Sequence, residues 1–168
     1  MDKQEAEALW GKPISNYEDK RAIAAKLVRM IQGAHTISAG SGSTSFLTLC
    51  ALAQDPAIVR NTRFIVTSFE IESFAVDLDL TCVSIWQSRA DVAFDGADEI
   101  DTAGNLLKGR GGAFFLEKLA MHNANRKIIV ADASKKVGVL GEKMPLPIEV
   151  SPVAARSEGR PRERSASA

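Results

Sequence analysis

The chain has 168 residues, of which 45% are hydrophobic, and this length and content fit one globular domain, or one domain with a fragment of another. Its formal net charge of zero gives no bulk electrostatic reason to expect nucleic acid or an anionic membrane as a partner. Cys50 and Cys82 lack a metal-type spacing, and no apolar run approaches a membrane span, so we expect a soluble, cytoplasmic protein with both thiols reduced.

Predicted helices and strands alternate along the chain. Asn16 is the predicted N-cap of an amphipathic helix over about 17–32, and a short strand over 35–39 leads into a second helix around Phe46. Further elements are predicted as strands at 63–67, 80–85 and 91–94, a helix at 111–123 and a strand at 127–131. The alternation favours an α/β fold, a three-layer Rossmann-like domain with a mainly parallel sheet that is covered on both faces.

The chain is predicted to divide at about residue 150. Residues 1–150 form the predicted α/β domain, whereas residues 151–168 are rich in Arg, Ser and Ala, lack an amphipathic period and are predicted to be a disordered tail. In a sheet of this type, ligands bind in the loops beyond the carboxyl ends of the strands. Three glycine-rich or acidic loops of the predicted domain follow strands, and they are the candidates for a site.

The first loop, Gly40-Ser41-Gly42-Ser43-Thr44, joins a strand to a helix. Its glycines allow the backbone to approach a ligand, its three hydroxyl groups can donate hydrogen bonds, and a helix N-terminus attracts anions. The sequence lacks the spacing of a dinucleotide-binding loop and the Gly-Lys pair of a P-loop. Two interpretations remain open: a phosphate-binding loop, and a tight turn whose hydroxyl groups only cap the helix.

The second loop, Asp95-Gly96-Ala97-Asp98-Glu99, ends a strand. Asp95 is predicted to lie at the carboxyl end of the strand and Asp98 about one turn later, both facing the same crevice. The alternative is a turn-forming or calcium-like acidic loop, although calcium sites use more oxygen ligands at alternate positions than this loop offers. No other spacing in the chain suggests a metal site.

The third loop, Lys108-Gly109-Arg110-Gly111-Gly112, precedes the predicted helix that carries Glu117. Its backbone amides and its lysine can stabilise a developing oxyanion. The apolar neighbours of Glu117 in the sequence would raise the pKa of a carboxylate, as a general base near neutral pH requires. A solvated surface glutamate is the alternative for Glu117 taken by itself.

Taken together in this order, the motifs resemble those of the type A ribose-5-phosphate isomerases. The resemblance covers about residues 16–154 and includes six matching segments: G-S-G-S-T at 40–44, D-G-A-D-E-I at 95–100, K-G-x-G-G at 108–112, E-K at 117–118, A-D-A-S-K at 131–135 and P-L-P-I-E-V at 145–150. It implies interconversion of ribose 5-phosphate and ribulose 5-phosphate through an enediol, without a metal ion or another cofactor.

The resemblance also implies a role for each matching residue. Glu117 corresponds to the base that moves the proton between C2 and C1, and Asp95 and Asp98 correspond to acids that bind sugar hydroxyls and shuttle protons between oxygens. Lys108, with the amides of Gly109 and Gly111, would stabilise the enediolate. The other implied substrate contacts are Ser41, Gly42, Ser43, Thr44, Gly96, Ala97, Arg110, Lys135 and Lys20. The implied partner is a small sugar phosphate, with no nucleic acid or membrane, and a homodimer is one assembly open to it.

The chain departs from the family pattern at several positions. Ser41 replaces the usual Thr, Arg110 replaces a Gly, and Leu116 stands where an Arg commonly precedes the glutamate. If position 110 required a positive φ, the arginine would distort the loop. Most of the small C-terminal α+β domain of the family is also expected to be missing. The first hypothesis is therefore an active isomerase of a truncated or divergent type. The alternative is a catalytically impaired sugar-phosphate-binding module or fragment of the same fold.

Overall fold

A five-stranded parallel sheet forms the centre of the computed structural model, which describes residues 1–150. The tail predicted at 151–168 lies outside the described residues. The strands in chain order are β1 Thr36–Ala39, β2 Arg63–Val66, β3 Thr81–Cys82, β4 Val92–Gly96, β5 Glu99–Ile100, β6 Leu106–Leu107 and β7 Arg126–Val130. The sheet has the order β3-β2-β1-β4-β7, and β5 pairs with β6 in a separate antiparallel hairpin.

Helices cover both faces of this sheet. They are α1 Lys3–Trp10, α2 Tyr17–Met30, α3 Ser43–Leu52, α4 Pro56–Asn61, α5 Phe69–Asp77 and α6 Phe114–Asn123, followed by a 3₁₀ turn at Ala133–Lys135. The larger core cluster joins α1, α2, α3 and α5 to one face of the sheet. The smaller cluster, which includes Ala93 and Ala124 with Met121 packed against it, lies on the other face. The predicted three-layer α/β architecture is therefore confirmed.

The larger core is centred on the rings of Trp10, Phe46 and Phe74, whose centroids lie 4.8 to 5.2 Å apart. Phe46 belongs to α3, which is buried along almost its whole length because α2 covers its outer side. Apolar residues on nearly every face of α3 are therefore consistent with its position. Its N-terminus follows β1 after only three residues, Gly40 to Gly42.

Several predicted boundaries were wrong. The strand expected at 80–85 has only two ladder residues, Thr81 and Cys82, because β3 is an edge strand and the chain then leaves the sheet. The helix expected at 111–123 begins at Phe114, after the glycines. Asn16 does occupy the N-cap position of α2, but its φ of 50° is left-handed and its side chain makes no capping hydrogen bond. Its amide donates instead to Asp132 Oδ1, 3.1 Å away.

Other elements were not predicted, namely α1, α4, α5 and the β5–β6 hairpin. No apolar run of the sequence was expected to span a membrane. Within residues 1–150, no helix is both long enough and apolar enough to cross a bilayer.

The order of the strands creates a crevice between β1 and β4. From β1 the chain continues through α3 to β2 on one side, whereas from β4 it continues to β7 on the other side. The loops after these two neighbouring strands therefore diverge, and such a switch point is where open α/β sheets bind ligands. Ala39 pairs with Phe94, so Gly40 and Asp95 follow side by side at the edge of the sheet.

Candidate active site

A cavity of about 260 Å³ opens at this crevice. It is bounded by the loops after β1 and β4, by the loop after β6 and by the first turn of α6. Every lining residue was a predicted site residue: Ser41, Gly42, Asp95, Gly96, Ala97, Asp98, Lys108, Gly109, Arg110, Gly111 and Glu117. The structure thus brings eleven of the fifteen predicted residues to one cavity, whereas Lys20, Ser43, Thr44 and Lys135 do not line it.

Asp95 is positioned by the backbone of β4 and by the absence of a side chain at Gly40. A Cβ atom at Gly40 would lie 2.0 Å from Asp95 Oδ1 and 2.6 Å from Asp95 Cβ, so only glycine leaves room for the carboxylate. The N–H of Gly96 donates to Asp95 Oδ1 at 2.7 Å. Sequence analysis did not identify Gly40 as a site residue, although it begins the G-S-G-S-T motif.

Lys108 joins the two buried acids of the cavity. Its Nζ lies 2.7 Å from Asp95 Oδ2 and 3.3 Å from Glu117 Oε2, and it also donates to the carbonyl oxygen of Gly96 at 2.5 Å. The lysine follows β6 directly, so the β5–β6 hairpin delivers it to the cavity. One ammonium group therefore holds two carboxylates that are distant in the sequence.

Glu117 lies in the first turn of α6 and is only 4% exposed. Its Oε1 accepts a hydrogen bond from the Ser41 hydroxyl, and its Oε2 faces Lys108. Both carboxylate oxygens therefore have polar partners, and the adjacent Phe115 is 58% exposed. The solvated surface glutamate considered as the alternative is excluded by the burial of this side chain.

The pKa of the Asp95 carboxyl group is clearly raised. Burial has the largest effect and raises this pKa; the Lys108 ammonium lowers it, and the Glu117 carboxylate raises it. The resulting pKa is about 6, compared with 3.8 for an ordinary aspartate. A group with such a pKa can both hold and release a proton near neutral pH.

Asp98 anchors the glycine loop that follows Lys108. Its Oδ2 accepts from the backbone N–H of Arg110 at 3.1 Å, and its own N–H donates to Leu107 O at 2.8 Å. Gly109 and Gly112 adopt left-handed φ values of 120° and 71°, whereas Arg110 has no positive φ. The arginine is therefore accommodated without the loop distortion considered above.

The third acid of the D-G-A-D-E motif, Glu99, faces away from the cavity. It is fully buried and accepts from the N–H groups of Gly141, Lys143 and Met144 at 2.6, 2.7 and 3.0 Å. Burial raises the pKa of Glu99, but these three donors outweigh it and hold the pKa below its usual range. Glu99 thus fixes a distant turn.

A second polar cluster adjoins the N-terminus of α3. Lys20 Nζ donates to Ser43 Oγ at 3.0 Å and to Ser15 Oγ at 3.2 Å. Burial is the main cause that lowers the pKa of Lys20; the charge of Asp132 opposes this, and that of Lys135 adds to it. The cluster therefore places Lys20 against Ser43, with Lys135 near enough for its charge to act on Lys20. Thr44 follows in the first turn of α3, where its carbonyl oxygen accepts from Thr48.

Sequence analysis did not predict the residues that organise this cluster. Asp132 accepts from the Asn16 side chain at 3.1 Å and from the N–H of Ser134 at 2.9 Å, and so joins the start of α2 to the 3₁₀ turn that carries Lys135. The A-D-A-S-K motif contained the signal, because an Asp side chain often accepts from the backbone N–H two residues further on, as in an Asx turn.

Comparison with known proteins identifies the family. A family model described as ribose 5-phosphate isomerase A (phosphoriboisomerase A) matches residues 63–161. The chain belongs to the ribose 5-phosphate isomerase A family. The family match extends past residue 154, at which the sequence resemblance was expected to end.

Curated relatives of this family are similar over most of the chain. The ribose-5-phosphate isomerase A of Methanocaldococcus jannaschii is 38% identical over 145 residues, which are 85% of this chain and 64% of the relative. The enzyme named in the same way from Synechococcus sp. (strain JA-3-3Ab) is 40% identical over 79% of this chain and 59% of its own length. The chain therefore spans about three fifths of the length of the curated relatives that it matches.

Solved structures of the family confirm the fold. The ribose 5-phosphate isomerase A structure from Methanocaldococcus jannaschii superposes with a TM-score of 0.77 at 37% identity, covering 85% of this chain and 64% of that one. A D-ribose-5-phosphate isomerase in complex with phospho-erythronic acid also gives a TM-score of 0.77, at 34% identity and with 86% and 64% covered.

Proposed function

We propose that this chain interconverts D-ribose 5-phosphate and D-ribulose 5-phosphate. The observation that carries the proposal is the placement of Lys108 Nζ between Asp95 and Glu117, at 2.7 and 3.3 Å. An aldose–ketose isomerisation needs a base for a carbon-bound proton, a cation for the enediolate and a group that exchanges protons with oxygen. This triad supplies one group of each kind, and the family relationship supports the assignment.

In this proposal, Glu117 removes the proton from C2 of the open-chain aldose. The C2–H electron pair forms a C1=C2 double bond, and the carbonyl electrons move to O1, which gives an enediolate. The same carboxyl group then returns the proton to C1, while the O2–H bond is lost and C2 becomes the carbonyl carbon. Ser41 holds Glu117 Oε1 during these transfers. Proton transfer by a positioned side chain contributes about 10²- to 10⁴-fold to a rate.

Lys108 and Asp95 serve the oxygens in the proposed mechanism. The ammonium group of Lys108 and the amides of Gly109 and Gly111 stabilise the charge on the enediolate in a largely buried site, where such interactions are strong. Asp95, with a pKa of about 6, carries a proton between O2 and O1. Asp98 holds the glycine loop and binds a sugar hydroxyl.

The remaining predicted residues form the proposed phosphate end of the site. Lys20 donates to Ser43 at the start of α3, and Lys135 is the neighbouring positive charge. The first-turn N–H groups of α3 and the hydroxyls of Ser43 and Thr44 would complete the anchor, because helix N-termini favour anions. Binding of the remote phosphate would orient the reacting carbons. The cytoplasmic location and the homodimer stay predictions.

The alternative is a module that binds sugar phosphates without turnover, which the span of about three fifths of its relatives' length keeps open. Turnover of ribose 5-phosphate by the wild type and by Glu117→Gln separates the two. For an isomerase we expect kcat to fall at least about 100-fold in the variant, since Gln cannot take the proton but can still accept from Ser41. Glu72→Gln, on the exposed surface of α5, is the matched control.

Binding of phospho-erythronic acid, measured by calorimetry, completes this test. Binding by a wild type that shows no turnover would support the binding module instead. Equal turnover by the wild type and Glu117→Gln would exclude the assigned base.

A further inference from the structure

The segment 145–150 contacts both elements that carry the proposed catalytic pair. Glu149 Oε2 accepts from the backbone N–H of Phe115 in α6 at 2.7 Å. Pro147 packs on the loop of Lys108, so closely that a Cβ atom at Gly109 would lie 3.0 Å from Pro147 Cγ. The segment belongs to no helix or strand, and nothing in the mechanism above uses it.

Helix α6 has no local cap for its first turn. The N-cap residue is Ala113, which has no side-chain acceptor, and the residues before it are Gly111 and Gly112. The first N–H groups of a helix need acceptors from outside the helix, and the side chain of the N-cap residue commonly serves the N–H at the second or third position. Phe115 is the second residue of α6, and its N–H is served by Glu149, which lies 34 residues further along the chain.

The cap acts on the turn that contains the proposed base. Glu117 is the fourth residue of α6, and its N–H donates to Ala113 O at 3.0 Å, within the same first turn. Fraying of this turn would move the Glu117 carboxylate away from Lys108 Nζ. Catalysis depends steeply on such positions, since a displacement of about 1 Å can cost roughly 100-fold in rate.

The chain that leads to the capping residue is held in place. Just before the segment, Glu99 binds the N–H groups of Gly141, Lys143 and Met144. Pro145 and Pro147 then restrict the backbone, because proline fixes φ and disfavours the helical conformation of the residue before it. The backbone therefore reaches α6 along a path that is restricted as far as Pro147.

We propose that Glu149 is a positioning residue, which caps α6 and thereby holds Glu117 against Lys108. The proposal rests on the proposed isomerase function for its kinetic consequence. The proposal assigns the effect to an acceptor oxygen of the correct reach, and it therefore predicts that the length of the Glu149 side chain matters more than its charge. The carboxyl group of Asp is one methylene shorter, so we expect it to fall short of the N–H of Phe115.

Three substitutions test this reach requirement. Glu149→Gln keeps an acceptor at the same distance and should retain kcat within about threefold, whereas Glu149→Ala and Glu149→Asp should lower kcat roughly tenfold or more with little change in KM. Ile148→Ala is the matched control, because Ile148 neighbours the cap and is 77% exposed. It should behave as the wild type.

A second readout does not depend on turnover. Amide hydrogen exchange at Phe115 should accelerate roughly tenfold in Glu149→Ala and not in Glu149→Gln. The carbon-13 chemical shift of the Glu117 carboxyl group should change in Glu149→Ala and stay unchanged in Glu149→Gln. If the wild type lacks turnover, the proposed function fails, but the exchange rate and the Glu117 shift still decide the positioning role.

Either of two results would overturn the proposal. One is an unchanged kcat and an unchanged Glu117 shift in Glu149→Ala, measured at a temperature where circular dichroism shows the variant to be folded; this would make the cap a stability feature only. The other is an equal loss in Glu149→Gln and Glu149→Ala, which would assign the effect to charge.

Discussion

Replacement of Asp95 by Asn should remove part of the pH dependence of the protein's stability, together with a proposed catalytic group. Burial and the neighbouring Glu117 raise the pKa of Asp95 against the opposing effect of Lys108, so the folded-state pKa is about 6 and the ordinary value is 3.8. A group whose pKa rises on folding contributes stability below its unfolded pKa and loses it as pH rises through its folded pKa. The loss therefore falls between about pH 4 and pH 6.

The magnitude follows from this pKa difference. A shift of about two units at 1.36 kcal/mol per unit amounts to about 3 kcal/mol of unfolding free energy, of which about 2 kcal/mol is lost between pH 4 and pH 7. Asn has nearly the same shape as Asp and can still accept from the N–H of Gly96, but it does not ionise. The variant should therefore lack this part of the pH dependence.

Urea unfolding at pH 4 and at pH 7.5 measures the effect, with Asp77→Asn, on the exposed surface of α5, as the control. We expect the free energy of unfolding of Asp95→Asn, relative to wild type, to rise by about 2 kcal/mol from the lower to the higher pH. Turnover should be lost at both pH values. An unchanged difference between variant and wild type, or one of the opposite sign, would refute the assignment of the raised pKa to Asp95.

Two further predictions concern groups that support the site. Gly40→Ala places a Cβ atom 2.6 Å from Asp95 Cβ, so Asp95 must shift; we expect about 1–3 kcal/mol of destabilisation and loss of most turnover. Gly138→Ala, whose Cβ meets only a flexible side-chain atom at 3.4 Å, is the control, and equal behaviour of the two variants would contradict the steric argument. Glu99→Gln should lower the thermal unfolding midpoint at pH 7, because Gln has one acceptor oxygen for three N–H donors. Because the pKa of Glu99 is lowered on folding, its stabilisation is present above pH 4.5 and is lost as the pH falls through the folded-state pKa. The unfolding midpoints of the wild type and of Glu99→Gln should therefore converge in acid. A difference between these midpoints that stays constant with pH, measured by calorimetry, would show that ionisation of Glu99 is not involved.

Much of the fold and of the cavity lining could be predicted from local patterns. Alternating helices and strands indicate a parallel sheet, and a parallel sheet places the loops after its strands at one edge. This is why Ser41 and Asp95 could be assigned to one site without any knowledge of their distances, whereas Lys108 was assigned through the resemblance of its loop to the family motif. The missed elements, α4 and the β5–β6 hairpin among them, are short and carry little periodic signal of their own.

The sequence by itself determined which chemical groups are present and that the loops after predicted strands are the candidates for a site; the structure placed them at the crevice between β1 and β4. Only the tertiary structure decided what each group contacts: that Lys108 bridges Asp95 and Glu117, that Glu99 serves a distant turn and that Glu149 caps α6. The physical reason is that burial, pKa and hydrogen-bond satisfaction depend on neighbours tens of residues away, which local spacing does not encode.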